Sequence, residues 1–243
     1  MSSPPLCTVL GAGPGLGAAI GRRFAAEGFR VALVTRSPHR LADWPAPDDE
    51  DVVVVRADLA DQGTTRAALA RVERWGGATD VLVHNVADMS PDEVLAMTTD
   101  RLLEAVRVDA GSLLDALAEV LPAMERRGRG TVLVTGGGLA LEPYPDWAGL
   151  AAGKAALRSI ALNLHKALAP RGVRVALVAV CGLVAPGGPL DPDLVAEEYW
   201  RLHAEPATAG RRELVLLPDG ADPFYNDPGG VHRAFSQPIR PEA

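Results

Sequence analysis

The feature that most constrains this chain is a short apolar run, Leu6 to Leu10, that stops in Gly11-Ala12-Gly13-Pro14-Gly15-Leu16-Gly17 and resumes at helical spacing as far as Gly28. A strand that breaks into glycines and re-forms as a helix leaves backbone N–H groups at the helix mouth without intrahelical acceptors. Those groups, with the positive end of the helix dipole, suit a phosphate. The glycines let the backbone turn tightly and come close to a pyrophosphate, which is the chemistry of a dinucleotide site. Gly11, Gly13, Pro14, Gly15, Leu16 and Gly17 form the candidate cradle.

The rest of the chain repeats the alternation. Apolar, β-branched runs at Arg30 to Thr35, Val52 to Val55, Asp80 to His84, Thr131 to Thr135, Val173 to Val180 and Glu213 to Leu217 read as strands. Between them, Asp61 to Trp75, Thr98 to Arg126, Trp147 to Leu168 and Pro192 to His203 carry helical spacing, with a bend expected at Pro122 in the second of these. Strands apolar on both faces that alternate with helices imply a parallel sheet covered on both sides. The expected fold is α/β, a Rossmann-type doubly wound parallel sheet of about seven strands in a single domain over residues 1–217. An irregular, Pro- and Gly-rich tail is expected over 218–243.

Composition narrows the partners. The net charge of −7 argues against nucleic acid and anionic membrane, which call for a basic surface. No apolar run is long enough to span a bilayer. The N-terminus lacks the charged and apolar regions of a signal peptide, so a cytoplasmic location is expected. Cys7 and Cys181 sit in apolar strands and read as reduced, buried thiols, and the histidines show no metal-ligand spacing. No metal is expected.

The end of the second strand selects the nucleotide. An acidic residue there would bind the adenosine ribose and repel a 2′-phosphate. The chain has Thr35-Arg36-Ser37-Pro38-His39-Arg40 instead. Arg36 can form a bidentate pair with a 2′-phosphate and Arg40 can add a second charge, so NADP(H) is the expected cofactor.

With these residues in place, the chain resembles the short-chain dehydrogenase/reductase family over roughly its first two hundred residues. Gly11, Gly15 and Gly17 fit the family's glycine spacing. Asp58-Leu59 resembles the pair that touches the adenine ring. Asn85-Val86-Ala87 is similar to the segment after the family's fourth strand, with His84 in place of an asparagine. Lys154 matches the lysine that holds the nicotinamide ribose. Gly182 and Val184 follow the sixth strand, where the resemblance implies cofactor contact, and residues 183–205 correspond to the substrate loop.

The resemblance also implies a tyrosine four residues before the lysine and a serine thirteen residues before that tyrosine. Those positions hold Leu150 and Gly137, and the tetrad asparagine is replaced by Asp109. Leucine and glycine have no proton to give, so the general-acid step of carbonyl reduction lacks its usual donor. Tyr144, in the loop before the lysine helix, can act as a replacement acid or pack between Pro143 and Pro145. Glu142 and Asp146 can titrate in an apolar pocket, or Asp146 can cap the helix. Asp109 can pair with Lys154, and His84 can titrate near neutrality or sit satisfied in the core. Met89, Leu139, Leu141, Tyr144, Trp147, Leu150, Leu183 and Tyr199 are expected near the cleft or its lid, which suits an apolar or polycyclic substrate.

Three functions remain open at this level. One is an NADP(H)-dependent oxidoreductase acting on a carbonyl or alkene of the secondary-metabolite kind, with a nonstandard proton donor. Another is a redox-neutral isomerase, cyclase or dehydratase. The third is a non-catalytic nucleotide-binding protein. The resemblance implies a homodimer or homotetramer built through the long helix and the Lys154 helix; the apolar residues on the long helix, from Leu102 to Leu117, fit that assembly or a deeply buried helix.

Overall fold

The computed structural model describes residues 4–41, 49–206 and 210–218. The expected tail lies outside these apart from Pro218. The strands β1 (Leu6–Leu10), β2 (Arg30–Thr35), β3 (Val52–Arg56), β4 (Val81–His84), β5 (Gly130–Thr135), β6 (Val173–Val180) and β7 (Glu213–Leu216) form one sheet in the order β3-β2-β1-β4-β5-β6-β7. Every adjacent pair is parallel. The expected doubly wound α/β fold is therefore present.

The period of two along each strand sorts side chains between two cores. Leu6, Leu10, Ala32 and Val34 face one, packed against α2 (Gln62–Gly76), α4 (Ser112–Arg127) and α5 (Ala148–Leu168). Cys7, Val9, Val31 and Leu33 face the other, packed against α1 (Leu16–Ala26) and α6 (Pro192–Ala204). On that second face Phe24, Phe29, Trp200 and His203 meet edge to face or tilted, with ring centroids 5.3–6.1 Å apart. Arg23 ties α1 to Glu197 of α6 at 2.6 Å. Both cysteines are buried and unbridged.

Strand order reverses between β1 and β4, so the carboxyl ends of these neighbours open a crevice. The glycine stretch turns into it. Gly11 and Ala12 both donate their N–H to Val34 O at 3.0 Å, and the Asn85 side chain donates to Gly11 O at 3.1 Å.

Two local expectations differ from the structure. The long helix is not continuous: α3 (Thr99–Val106) passes through a π turn, Arg107–Gly111, before α4, so the interruption falls around Asp109. Asp146 does not hold the N-cap of α5. Trp147 does, without a side-chain bond, and the carboxylate of Asp92 accepts the Gly149 N–H at 2.8 Å. The distant carboxylate wins because the loops after β4 and β5 are zipped together. Asp92 N–H donates to Asp146 O and Val94 N–H to Pro145 O, each at 3.0 Å.

Candidate active site and nucleotide cleft

A cleft of about 770 Å³ runs along the carboxyl edge of the sheet. Gly11, Ala12, Gly13 and Leu16 line its middle; Arg36, Ser37, Arg40, Asp58 and Leu59 line one end. The other end is lined by Met89, Leu139, Trp147, Leu150, Lys154, Leu183 and Val184, with Gly137 and Gly182. Asn85, Val86 and Ala87 join the two ends. The structure thus brings most of the sequence candidates into one groove.

The glycine loop is shaped to admit a ligand backbone-first. A Cβ on Gly13 or Gly15 would have no heavy atom within 4 Å, so the outer face of the turn is open. Gly11 has φ +74° and a Cβ there would lie 2.5 Å from Asn85 O. Gly17 is buried, and a Cβ there would lie 2.8 Å from the Cα of Ala12. Pro14 and Gly15 are exposed at the helix mouth, and they and Gly17 do not line the cleft. Gly11→Ala therefore combines a left-handed backbone with overpacking against main chain, each costing about 1–3 kcal/mol. The expected outcome is a lower midpoint in urea and loss of nucleotide affinity by calorimetry.

Arg36 and Arg40 are exposed, and among the described residues neither pairs with a carboxylate. Both line the cleft end that follows β2. The residues present fit a dinucleotide that carries an extra phosphate at this end.

Lys154 is buried, and its Nζ donates to Val86 O at 2.8 Å and Thr135 O at 3.1 Å, with Asp109 Oδ1 at 3.5 Å. The sequence pairing of Asp109 with Lys154 is thus present. Asp109 is fully buried and also accepts the Asp88 N–H at 3.2 Å. Burial pushes the Asp109 carboxyl above the usual carboxylate range, with Lys154 opposing it. Burial pushes the Lys154 amine below its usual range, with Asp109 opposing it. Gly153 is needed beside this pair: a Cβ there would meet the Asp109 carboxylate and lie 3.0 Å from Ala105 O.

His84 is fully buried, and burial followed by the charge of Lys154 lowers it to about 3. Of the two readings open from the sequence, this favours a histidine held in the core over one that titrates near neutrality. Leu150 is buried one helical turn before Lys154 on α5, and both line the cleft. Tyr199, expected near the lid, is instead fully buried on α6 with its hydroxyl 2.7 Å from Thr135 Oγ1. Leu141 packs against the core on the α4–α5 side of the sheet and not in the cleft. Tyr144 is half-buried beside Leu139, Leu150 and Ala151; neither it nor Glu142 is among the cleft-lining residues.

Sequence reasoning missed the clamp that fixes the two loops at the apolar end. Arg101 reaches Asp88 at 2.6 Å and Asp92 at 2.9 Å, and Asp92 holds the start of α5. Its members are up to 57 residues apart in sequence, so no local spacing signals them. Among the described residues there is no group of metal-ligating side chains and no helix long and apolar enough to cross a membrane.

Comparison with known proteins agrees with this geometry. A profile described as short chain dehydrogenase matches residues 6–188. The chain is 30% identical over 187 residues to a 2-(R)-hydroxypropyl-CoM dehydrogenase of Xanthobacter autotrophicus, covering 74% of this chain and 72% of that one. A short-chain dehydrogenase structure from Streptomyces avermitilis superposes with a TM-score of 0.83 at 22% identity, covering 92% of each chain. An alcohol dehydrogenase from Thermococcus sibiricus, solved in complex with 5-hydroxy-NADP, superposes with a TM-score of 0.78 at 23% identity, covering 90% of this chain and 99% of that one. A glycine turn at the strand-order reversal, a buried lysine across the cleft from it and a matching profile over most of the length have one common explanation: the chain belongs to the short chain dehydrogenase family of oxidoreductases.

Proposed function

We propose that this chain is an NADP(H)-dependent oxidoreductase that acts on an apolar or polycyclic carbonyl or alkene and draws its proton from a group other than the family's serine and tyrosine. The observation that carries the cofactor choice is the pair Arg36 and Arg40 at the cleft end where an acidic residue would select NAD. In this reading the backbone of Gly11 to Leu16 holds the pyrophosphate. Asp58 and Leu59 flank the adenine, and Asn85 to Ala87 with Gly182 and Val184 line the path to the nicotinamide. The cofactor, when bound, supplies the hydride.

The protein's part is to place the substrate and exclude water. Met89, Leu139, Trp147, Leu150 and Leu183 give an apolar wall that orients a substrate through surface burial. Gly137 and Leu150 offer no side-chain proton at the two positions where the family carries them. Tyr199 does not restore one, because its phenol is enclosed against Thr135. The proton then comes from water, the substrate or the Glu142–Tyr144 loop. The same two vacated positions favour, as a second reading, a redox-neutral reaction or a purely structural nucleotide. Leu103 and Leu114 are exposed on α3 and α4, which suits pairing between copies of the chain through the long helix.

Arg36→Glu tests the cofactor choice by calorimetry. A lost bidentate phosphate pair and an added repulsion are expected to weaken NADPH at least about tenfold more than NADH. An equal effect on both nucleotides would show that Arg36 is not the discriminator. Following the reduced-nicotinamide absorbance with apolar ketones and enones then separates the functions. Oxidation supports the oxidoreductase; product without cofactor turnover supports the redox-neutral enzyme.

A further inference from the structure

The π turn Arg107–Gly111 puts one extra residue into the long helix just where Asp109 meets Lys154. An α-helical residue advances about 100° around its axis, so an inserted residue re-phases every side chain on one side of the turn relative to the other. In this re-phased register Asp109 Oδ1 lies 3.5 Å from Lys154 Nζ. What holds the register is visible. The Ser112 N–H donates to Arg107 O, five residues back, in place of the α-helical partner Val108 O. The Ser112 hydroxyl then donates to Val108 O at 2.5 Å, satisfying the carbonyl that the turn bypasses.

The hydroxyl has one proton, and it is donated to Val108 O. The His84 Nε2 at 2.8 Å from Ser112 Oγ must therefore be the donor in their bond. This fixes His84 as the Nε2–H tautomer and leaves its Nδ1 an acceptor, buried and without a hydrogen-bond partner among the described residues. His84 stands on β4, two residues before the Val86 carbonyl that receives Lys154. The residue that orients Ser112 and one of the two carbonyls that hold Lys154 thus lie two residues apart, at the end of β4 and just beyond it.

We propose that Ser112, oriented by His84, is a positioning residue that holds the π turn and thereby keeps the Asp109 carboxylate against Lys154. Among the described residues Lys154 meets no other anion. The ionisable groups acting on it are Asp109 from the π turn and His84 from β4, while Asp88 from the following loop acts on Asp109. Without Ser112 the turn relaxes toward α-helix, Asp109 rotates away, and a buried ammonium is left without its counter-charge. The proposal rests on the reading above only in giving Lys154 a task; the placement itself is testable without any nucleotide.

The chain has two lysines, Lys154 and the exposed Lys166, so lysine labelled with ¹³C at Cε gives two separable titrations by NMR. Ser112→Ala is expected to lower the Lys154 midpoint by about one pH unit while Lys166 stays put. Ser112→Thr, which keeps the hydroxyl, is expected to restore it. A folded Ser112→Ala protein with the wild-type Lys154 midpoint overturns the proposal, whatever its melting temperature. If Ser112→Ala does not fold, His84→Leu, which has no donor, is read in its place. Loss of the orienting donor is expected to move the midpoint the same way, and an unmoved midpoint again overturns it. Calorimetry with NADPH on the same samples is separate: absent binding sinks the cofactor assignment and leaves the NMR result standing.

Discussion

Lys154→Met is expected to destabilise the fold by about 3–5 kcal/mol at neutral pH, because it leaves the fully buried Asp109 carboxylate without its counter-charge. Asp109→Leu is expected to do comparable damage by stranding the ammonium. The double variant Asp109→Leu/Lys154→Met should be far less harmful than the sum of the two, and close to wild type. The reason lies in the direction of both shifts. Asp109 is held above, and Lys154 below, its ordinary range, with burial the largest cause in each. A carboxyl whose folded value is raised adds stability that is full below its unfolded value, about 4, and lost as the pH rises through the folded one. An amine whose folded value is lowered adds stability above its unfolded value, about 10.4, and loses it as the pH falls through the folded one. Wherever both groups are charged both contributions are absent, so burying the charged pair costs stability that its mutual attraction only partly offsets. The deficit of Lys154→Met should shrink as the medium is acidified through the raised Asp109 value, because the carboxyl then protonates. Urea midpoints at pH 5 and pH 8 check this; equal deficits at both would mean that the loss is one of packing and not of charge.

The fold was legible in the chain because its determinants are local. The glycine run after Leu10 needs a turn whatever surrounds it, and Val52 to Val55 can bury both faces only inside a covered sheet. The cleft was legible for the same reason: Arg36 and Asp58 follow strands directly, so placing the strands places them. What stayed hidden depends on contacts across long stretches of chain. No helical period announces a π turn, because Ser112 and Arg107 look the same in a five-residue as in a four-residue hydrogen-bond pattern. Asp146 looked like the cap of α5 by adjacency, yet Asp92 takes that place through loop pairing. Tyr199 shared the apolar spacing of a lid residue, and only the packing of α6 on the sheet turns its phenol inward to Thr135. A cleft side chain and a core side chain on one amphipathic helix differ by a single step of rotation, which composition does not record.

Leu150→Tyr combined with Gly137→Ser is expected to raise the rate of NADPH-dependent reduction of a small apolar ketone by about 10²-fold or more over wild type. The geometry leaves room for the serine. Gly137 has an extended backbone (φ −168°), and a Cβ there would find its nearest neighbours at 3.9 Å, Val180 O, and 4.0 Å, the Lys154 side chain. A serine fits without moving main chain and presents a hydroxyl to the cleft. Position 150 lies one turn before Lys154 and already lines the cleft, so a tyrosine there exchanges an apolar wall for a phenol beside a fixed cation. That cation is held by Val86 O, Thr135 O and Asp109, and its charge favours the phenolate and so makes the phenol a better acid. The serine's contribution is a hydrogen bond to the carbonyl oxygen as charge develops on it. Each single variant should therefore gain less than the pair. Calorimetry on the same proteins separates failure of chemistry from failure of binding. A double variant that binds NADPH as tightly as wild type, keeps its fold and still leaves the ketone untouched would show that the side chains at positions 137 and 150 are not what limits this site.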